Sequence, residues 1–274
     1  MMTAHDDDDQ QLAALLEDLF QRHHCDFRGY SRTAVRRSVA RALHAVGVPG
    51  VGALRELIGR DAKARRVLLN ALTTQVSDLF RDPEYFRALR ERVVPHLATY
   101  PSIRIWVAGC GTGEEAQSIA IILQETGLLG RSLIYATDID EESLRKAAAG
   151  RYARDRLDGF SGSYRRAGGQ AALTDHCSVE DTTVTFDPSL RERMLFSEHS
   201  LATDGAFAEV QLVSCRNVLI YFAPQLRDRV LGLFLDALCP RGFLGLGAKE
   251  ALPPSAHAER FEPFAAAERI YRRA

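Results

Sequence analysis

Three alternate glycines, Gly109, Gly111 and Gly113, are followed directly by the acidic pair Glu114 and Glu115. The segment IWVAGCGTGEEAQSIAIIL predicts a strand, a glycine turn and a helix, an arrangement that often holds a nucleotide. A dinucleotide motif would need another glycine at position 114, and two carboxylates at a helix N-terminus would repel a pyrophosphate. This pattern therefore favours a ligand that has cationic groups and lacks phosphate.

The next predicted strand, LIYATDID, ends with the acidic residues Asp138 and Asp140. An acidic residue at the end of the second strand accepts hydrogen bonds from both hydroxyls of a ribose, so Asp138 indicates an adenosine-like ligand. S-adenosylmethionine fits both observations, because it carries a sulfonium and an α-amino group on an adenosine. The alternative is a glycine turn that serves tight packing only. Asp140 and Glu141 are expected to be the N-terminal cap and a first-turn charge of the following helix, not ligand contacts.

Composition excludes several classes of protein. The chain has 274 residues, a net charge of -1 and 46% hydrophobic residues, which suits a large core and argues against nucleic acid as a partner. No apolar run is long enough to span a membrane, and the acidic start MMTAHDDDDQ is unlike a signal peptide, so we expect a cytoplasmic protein without membrane insertion. The cysteines and histidines show no metal-ligand spacing, and we expect reduced thiols and no metal.

Periodicity divides the chain into two domains. Residues 1–90 show helical spacing only, as in QLAALLEDLFQRHH, and predict an N-terminal helical domain. Residues 91–274 alternate strand-like runs with helical stretches, which predicts βαβ units and a mostly parallel sheet covered on both faces. The irregular region 151–201, with its short run TTVTF, predicts an insertion that contains a small β element.

Five blocks of this sequence resemble the CheR-type chemotaxis receptor methyltransferases, and they come in the order of that family. The blocks are LTTQVSDLFRDPEYFRAL, IRIWVAGCGTGEEAQSIA, ATDIDEESLRKAAAGRY, VSCRNVLIYF and LCPRGFLGLGAKE. The resemblance implies a helical domain followed by a Rossmann-like class I S-adenosylmethionine-dependent methyltransferase domain with a small inserted β subdomain. It also implies a protein-glutamate O-methyltransferase that modifies the cytoplasmic helices of methyl-accepting receptors and releases S-adenosylhomocysteine.

The resemblance carries functional residues over by position. Arg81 and Tyr221 match an arginine and a tyrosine placed near the reacting methyl group, and we expect them to be catalytic. The positions that match cofactor contacts, together with the glycine turn, are Gln75, Ser77, Arg81, Gly109, Gly111, Glu115, Asp138, Ser200, Leu201, Arg216 and Asn217. Without the resemblance, Arg81 would be expected to pair with Asp82 or Glu84.

Some of these positions differ from the pattern of the family. The family usually has Asn and Thr where this chain has Gln75 and Ser77, and an Asn-Leu pair where it has Ser200 and Leu201. It often has a Pro-Tyr pair at Ala116 and Gln117. These departures concern cofactor affinity more than fold, because the replacements except Ala116 still form hydrogen bonds.

The second predicted helix is rich in arginine. The resemblance places acidic receptor helices opposite the N-terminal domain, which predicts a docking surface made of Arg32, Arg36, Arg37 and Arg41. The alternative is an ordinary solvated helix face. Two other functions stay open for the whole chain: a methyltransferase of the same fold that acts on another protein or a small molecule, and a non-catalytic S-adenosylmethionine-binding regulator.

Overall fold

The computed structural model describes residues 4–73 and 77–274, with the side chains of the first helix described from residue 8 onward. The helices are α1 (Ala4–His23), α2 (Arg32–Val46), α3 (Val51–Arg60), α4 (Ala62–Leu72), α5 (Pro83–Ala88), α6 (Val94–Leu97), α7 (Glu114–Glu125), α8 (Glu141–Ala149), α9 (Leu157–Arg166), α10 (Pro188–Arg191) and α11 (Pro224–Ala237). The strands are β1 (Ile103–Ala108), β2 (Ser132–Asp138), β3 (Arg151–Ala153), β4 (Cys177–Val179), β5 (Thr183–Phe186), β6 (Met194–Glu198), β7 (Val210–Cys215), β8 (Leu238–Leu246), β9 (Phe261–Ala265) and β10 (Ile270–Arg273).

The chain folds into two compact units. The helical unit comprises Met1–Thr74 and Tyr221–Arg229, and the sheet unit comprises Gln75–Ile220 and Val230–Ala274. This division lies before the boundary predicted at residue 90. The reason is that Leu79, Phe80 and other apolar side chains of this segment are buried in the core of the sheet unit.

The helical unit forms because α1 to α4 each present an apolar stripe. On α1 the buried side chains are Leu12, Leu15, Leu16 and Leu19, which is the spacing seen in the sequence. A chain of edge-to-face aromatic contacts from Phe27 through Tyr30 to Phe222 packs the 221–229 segment into this unit. None of the helices in 4–73 or 77–274 combines the length and the apolar character that crossing a membrane requires.

The sheet unit contains a seven-stranded sheet in the order β6-β2-β1-β7-β8-β10-β9. Strands β6, β2, β1, β7 and β8 run parallel to one another, whereas β10 pairs antiparallel with β8 and β9 pairs antiparallel with β10. Trp106 lies in the middle of β1 and is fully buried, as are Cys110 and Cys215 next to strand ends. The predicted mostly parallel sheet is confirmed, and its carboxyl edge gathers the ends of β1, β2, β6 and β7.

The insertion is a separate three-stranded antiparallel sheet in the order β3-β5-β4. Its strands end at Phe186, whereas Met194–Glu198, inside the region predicted as insertion, is β6 of the main sheet. The run MLFSE pairs in parallel with β2, from Ile134 opposite Met194 to Asp138 opposite Glu198. The run MLFSE does not alternate between apolar and polar residues, so its pairing with β2 could not be predicted from the sequence.

Glu125, the last residue of α7, is the centre of a polar cluster that joins α7 to the insertion. It accepts a hydrogen bond from the Tyr164 hydroxyl, pairs with Arg90 at 2.5 Å and lies 3.4 Å from Nε2 of His176. Burial alone would raise the pKa of Glu125, but His176, Tyr164 and Arg90 together outweigh burial and lower it to about 2. The ionised carboxylate therefore stabilises the folded sheet unit.

We predict that Glu125→Gln flattens the pH dependence of stability in acid. Because the folded pKa lies below the unfolded value, the carboxylate stabilises the protein above about pH 4.5, and this contribution disappears as the pH falls towards 2. After solvent screening we expect a loss of about 1–2 kcal/mol at neutral pH. Urea unfolding between pH 3 and 7 measures it, with the exposed Glu262→Gln on β9 as control. Equal slopes for Glu125→Gln and wild type would contradict the assignment.

Candidate functional site

The glycine turn connects β1 to α7 at the carboxyl edge of the sheet. All three glycines have positive φ, with values of 75°, 53° and 92° for Gly109, Gly111 and Gly113. At Gly109 a side chain is also excluded sterically, because a Cβ atom would lie 2.5 Å from Cγ2 of Val218. Val218 belongs to the segment after β7, so the turn and this segment are in close contact.

Asp138 lies at the end of β2 and binds the glycine turn. Its Oδ2 accepts the N–H of Gly111 at 2.8 Å, and its Oδ1 accepts the N–H of Asp140 at 3.0 Å. Burial raises the pKa of this carboxyl group. Each oxygen of a carboxylate has two lone pairs, so Asp138 can hold the turn and still accept hydroxyl groups of a ligand. As predicted, Asp140 caps α8, since its side chain accepts the N–H of Ser143.

Ser200 and Leu201 follow β6 and lie beside Asp138. The N–H of His199 donates to the Asp138 carbonyl at 3.1 Å, and the N–H of Ser200 donates to Asp204 at 2.9 Å. Leu201 is buried. Oγ of Ser200 is buried and has no hydrogen-bond partner within the part of the chain that the structure describes. Such an atom is costly unless a ligand or water satisfies it, so this place fits a polar ligand group.

Glu115 and Arg216 form a buried ion pair on the opposite side of the turn. Oε2 of Glu115 lies 3.2 Å from the Arg216 guanidinium, and Oε1 accepts the hydroxyl of Ser214 at 2.6 Å. The Ser214 hydroxyl in turn lies 2.7 Å from that of Tyr85. Burial raises the pKa of Glu115 although Arg216 and Ser214 oppose the shift. Glu115 thus links the start of α7 to the end of β7.

Arg216 also positions the segment that carries Arg81. Its guanidinium donates to the carbonyl of Arg81 at 2.6 Å and to Asp82 at 2.8 Å. It lies over the ring of Tyr85, 4.2 Å from the centroid, and its side chain is 1% exposed. Arg81 itself is half-buried. Asp82, a partner considered for Arg81 on sequence grounds, is therefore an ion-pair partner of Arg216.

Glu114 is buried and paired with a residue of the insertion, which the sequence did not suggest. It is fully buried, its Oε1 lies 2.7 Å from the Arg156 guanidinium, and its Oε2 accepts the Thr112 hydroxyl at 2.7 Å. Arg156 from the insertion compensates the Glu114 charge, so the repulsion of a phosphate expected from Glu114 is weaker than the sequence suggested. Arg156 also donates to the carbonyl of Ser77 at 2.6 Å. No spacing in the sequence indicates this link.

Of two further residues predicted to contact the cofactor, the structure describes Asn217 but not Gln75. Asn217 follows Arg216 with a φ of 63°, and its N–H donates to the buried carboxylate of Glu250 at 2.8 Å. Glu250 is a residue that sequence reasoning missed, although it stands in the block LCPRGFLGLGAKE. Gln75 lies outside the described residues.

Arg81 and Tyr221 belong to different compact units: Arg81 to the sheet unit and Tyr221 to the helical unit. The boundary predicted at residue 90 would place Arg81 in the N-terminal helical domain and Tyr221 in the methyltransferase domain. The structure assigns both residues the other way round. The Tyr221 carbonyl accepts the N–H of Ser31 at 2.7 Å, and Tyr221 is half-buried. Since Tyr221 ends the short turn Leu219–Tyr221, the chain crosses between the units at this residue.

The predicted docking arginines lie on α2 and are exposed. Arg32 and Arg36 pair with Asp9 of α1, at 3.2 Å and 2.5 Å, while the side chain of Arg32 is still 79% exposed. Arg41 donates to the carbonyl of Ala71 at 2.8 Å and therefore also fastens α2 to the end of α4. Arg37 is exposed beside them.

Two models of known protein families match this chain. The model of the CheR methyltransferase SAM-binding domain matches residues 75–269, and the model of the CheR methyltransferase all-alpha domain matches residues 10–73. This chain belongs to the CheR methyltransferase family. It is an S-adenosylmethionine-dependent methyltransferase by family, and the fold and cofactor predicted from its sequence are confirmed.

Relatives of this CheR-family chain include proteins named for chemotaxis. A chemotaxis protein methyltransferase of Vibrio parahaemolyticus is 34% identical over 73% of each chain, and one of Listeria innocua is 27% identical over 83% of this chain and 84% of its own. A Pseudomonas putida protein named Cher3, described only provisionally as a methyltransferase, is 45% identical over 99% of this chain and its own full length.

The residues present fit S-adenosylmethionine. Asp138 can still accept hydrogen bonds from ribose hydroxyls, and Oγ of Ser200 has no hydrogen-bond partner among the described residues. Position 114 is a glutamate, whereas a dinucleotide motif has a glycine there for the pyrophosphate. Asp138 and Ser200 are therefore the residues that would hold the adenosine part.

We predict that Asp138→Ala weakens the binding of S-adenosylhomocysteine by about 1.5–3 kcal/mol, the range for hydrogen bonds to charged groups. The loss combines the ribose contact with the anchor of the Gly111 N–H. Asp138→Asn keeps one acceptor oxygen and should lose less. Titration calorimetry measures both variants, with the exposed Asp155→Ala as control. Wild-type affinity in folded Asp138→Ala would show that the residue only supports the loop.

Proposed function

We propose that this chain transfers the methyl group of S-adenosylmethionine to glutamate side chains on the cytoplasmic helices of methyl-accepting chemotaxis receptors. The observation that carries the proposal is the match to the CheR SAM-binding domain over 75–269, a range that includes both Arg81 and Tyr221. Relatives named chemotaxis protein methyltransferases support the choice of substrate. Such helices are reached from the cytoplasm, which is where the proposal places the protein.

Methyl transfer to a glutamate needs positioning rather than a general base. The carboxylate is already ionised at neutral pH. One of its oxygens forms a bond to the methyl carbon while the carbon–sulfur bond breaks, and the sulfonium becomes the neutral thioether of S-adenosylhomocysteine. Alignment of the two reacting groups can supply a large part of the rate enhancement. The protein therefore has to hold an anionic acceptor in line with a cationic donor.

Arg81 suits the role of orienting the acceptor. Its guanidinium presents a planar set of donors that matches a carboxylate, and its backbone is fixed because Arg216 binds its carbonyl at 2.6 Å. We assign Tyr221 the role of orienting the carboxylate or lining the path of the methyl group through its hydroxyl. We also assign Arg216, Asn217 and Glu115 as cofactor contacts, and their hydrogen bonds order the loops around the cofactor.

The test is incubation of the purified protein with methyl-labelled S-adenosylmethionine and membranes that contain chemotaxis receptors. A labelled band of receptor size that loses its label as methanol in mild base indicates a glutamyl methyl ester and supports the proposal. Base-stable label, or label in another protein or a small molecule, would assign another methyl acceptor. No transfer by a protein that binds S-adenosylhomocysteine would indicate a regulator.

We predict that Arg81→Ala lowers kcat/KM for receptor methylation at least a hundredfold, about 2.7 kcal/mol of transition-state stabilisation. Arg81→Lys should recover only part, because an ammonium lacks the planar pair of donors. Tyr221→Phe should cost less than Arg81→Ala, since only the hydroxyl is lost. The exposed Arg87→Ala on α5 is the control, and thermal melts verify folding. Wild-type kinetics for folded Arg81→Ala would remove Arg81 from the catalytic assignment.

The arginines of α2 suit docking to an acidic receptor helix. Arg32, Arg36 and Arg37 are exposed on one helix, and Asp9 compensates only part of their charge. Exposed charges of this kind mainly increase the rate and specificity of association, and salt screens them. They belong to the helical unit, whereas Asp138 and Glu115 belong to the sheet unit.

We predict that the triple reversal Arg32→Glu, Arg36→Glu and Arg37→Glu raises the apparent KM for receptor about tenfold or more, while affinity for S-adenosylhomocysteine stays unchanged. The control reverses three exposed cations elsewhere in the helical unit, Arg60, Lys63 and Arg66. Receptor methylation at 50 and 300 mM salt measures the screened part in the wild type. An equal change in the apparent KM for both triple variants would show that the α2 arginines form an ordinary solvated face and not a docking surface.

A further inference from the structure

Glu250 is a buried carboxylate outside the predicted contact residues. It is 4% exposed and lies at the end of the tight turn that follows β8, where its N–H donates to the Gly247 carbonyl at 2.8 Å. Acidic side chains are rarely buried unless their oxygens are satisfied. The surroundings of this carboxylate therefore indicate what it does.

Three main-chain N–H groups converge on the Glu250 carboxylate. Oε2 accepts the N–H of Asn217 at 2.8 Å and that of Gly247 at 2.6 Å, and Oε1 accepts that of Ile220 at 3.2 Å. Two of these donors lie after β7 and one lies after β8. The carboxylate thus joins the loops at the ends of two neighbouring strands.

The segment that Glu250 binds has an irregular backbone. Asn217 has a φ of 63°, in the left-handed region, which asparagine adopts more readily than most residues other than glycine. Its N–H has no partner in a helix or strand, so the Glu250 carboxylate satisfies it. The flanking residues are also fixed: Arg216 pairs with Glu115, and Val218 packs on Gly109. Glu250 thereby supplies the hydrogen bonds that hold Asn217 between these two contacts.

Gly247 shows how tightly the two loops approach each other. A Cβ atom there would lie 2.7 Å from Oε2 of Glu250 and 2.8 Å from both the backbone nitrogen and Nδ2 of Asn217. A methyl group at this position would separate the carboxylate from the segment without removing either functional group.

We propose that Glu250 is a positioning residue for the cofactor site, which acts through Asn217 without touching S-adenosylmethionine. The inference rests on the assignment of Arg216 and Asn217 as cofactor contacts, and not on the identity of the methyl acceptor. In the folded protein the carboxylate keeps the Asn217–Ile220 segment in the conformation that binds the cofactor.

The test compares Glu250→Gln with wild type in calorimetric titrations with S-adenosylhomocysteine. An amide has one acceptor oxygen and presents an NH2 group to N–H donors, so it cannot satisfy all three. We expect the Kd to rise about tenfold, which corresponds to about 1.4 kcal/mol. The KM for S-adenosylmethionine should rise in parallel, with kcat at saturation within about threefold of wild type. Glu262→Gln, an exposed change on β9, is the matched control.

Gly247→Ala gives an independent test if Glu250→Gln does not fold. It should also raise the Kd about tenfold, whereas Gly130→Ala, where a Cβ meets no atom within 4 Å, should leave it unchanged. All titrations are made well below the melting temperature of each variant. Wild-type Kd and KM in a folded variant at position 250 or 247 would overturn the proposal.

Asn217→Ala separates the two assumptions. Weaker binding in Asn217→Ala with wild-type binding in Glu250→Gln would leave the cofactor contact standing and overturn the role of Glu250. Wild-type binding in both variants would overturn the contact assignment as well.

Discussion

The buried guanidinium of Arg216 is the interaction on which the rest of the site depends. It bridges Glu115 at the start of α7 and Asp82 before α5, and it binds the carbonyl of Arg81. Only 1% of the Arg216 side chain is exposed. Removal of one of its carboxylate partners would leave the buried guanidinium charge poorly compensated, which typically lowers the free energy of unfolding by about 3–5 kcal/mol. One residue after β7 therefore determines where both the helix of the glycine turn and the Arg81 segment lie.

Carboxylates that accept main-chain N–H groups recur around this ion pair. Asp138 binds Gly111 and Glu250 binds Asn217, each at 2.8 Å. Loops at the carboxyl edge of a parallel sheet need irregular backbone to approach a ligand, and their N–H groups then lack helix or strand partners. Buried acids meet this need, and their charge also suits a cationic cofactor. The same residues thus support the loops and give the edge its electrostatic character.

Much of this architecture could be predicted from local pattern. The apolar stripe of α1, the strand–turn–helix at Gly109 and the cap at Asp140 follow from spacing and residue type, because short-range geometry determines them. The ion pair of Glu114 was not predicted, since its partner Arg156 is distant in the sequence. The edge strand β6 was missed because its pairing with β2 depends on the sheet and not on its own sequence.

The sequence by itself determined the family and the cofactor, because motifs and their order are properties of the linear chain. Only the tertiary structure decided that Arg81 belongs with the sheet, that Glu114 pairs with Arg156 and that Glu250 binds the N–H of Asn217. These facts depend on which side chains meet after long stretches of intervening chain. These interactions are required because the groups are buried: a charge or N–H group that is removed from water needs a partner within the protein.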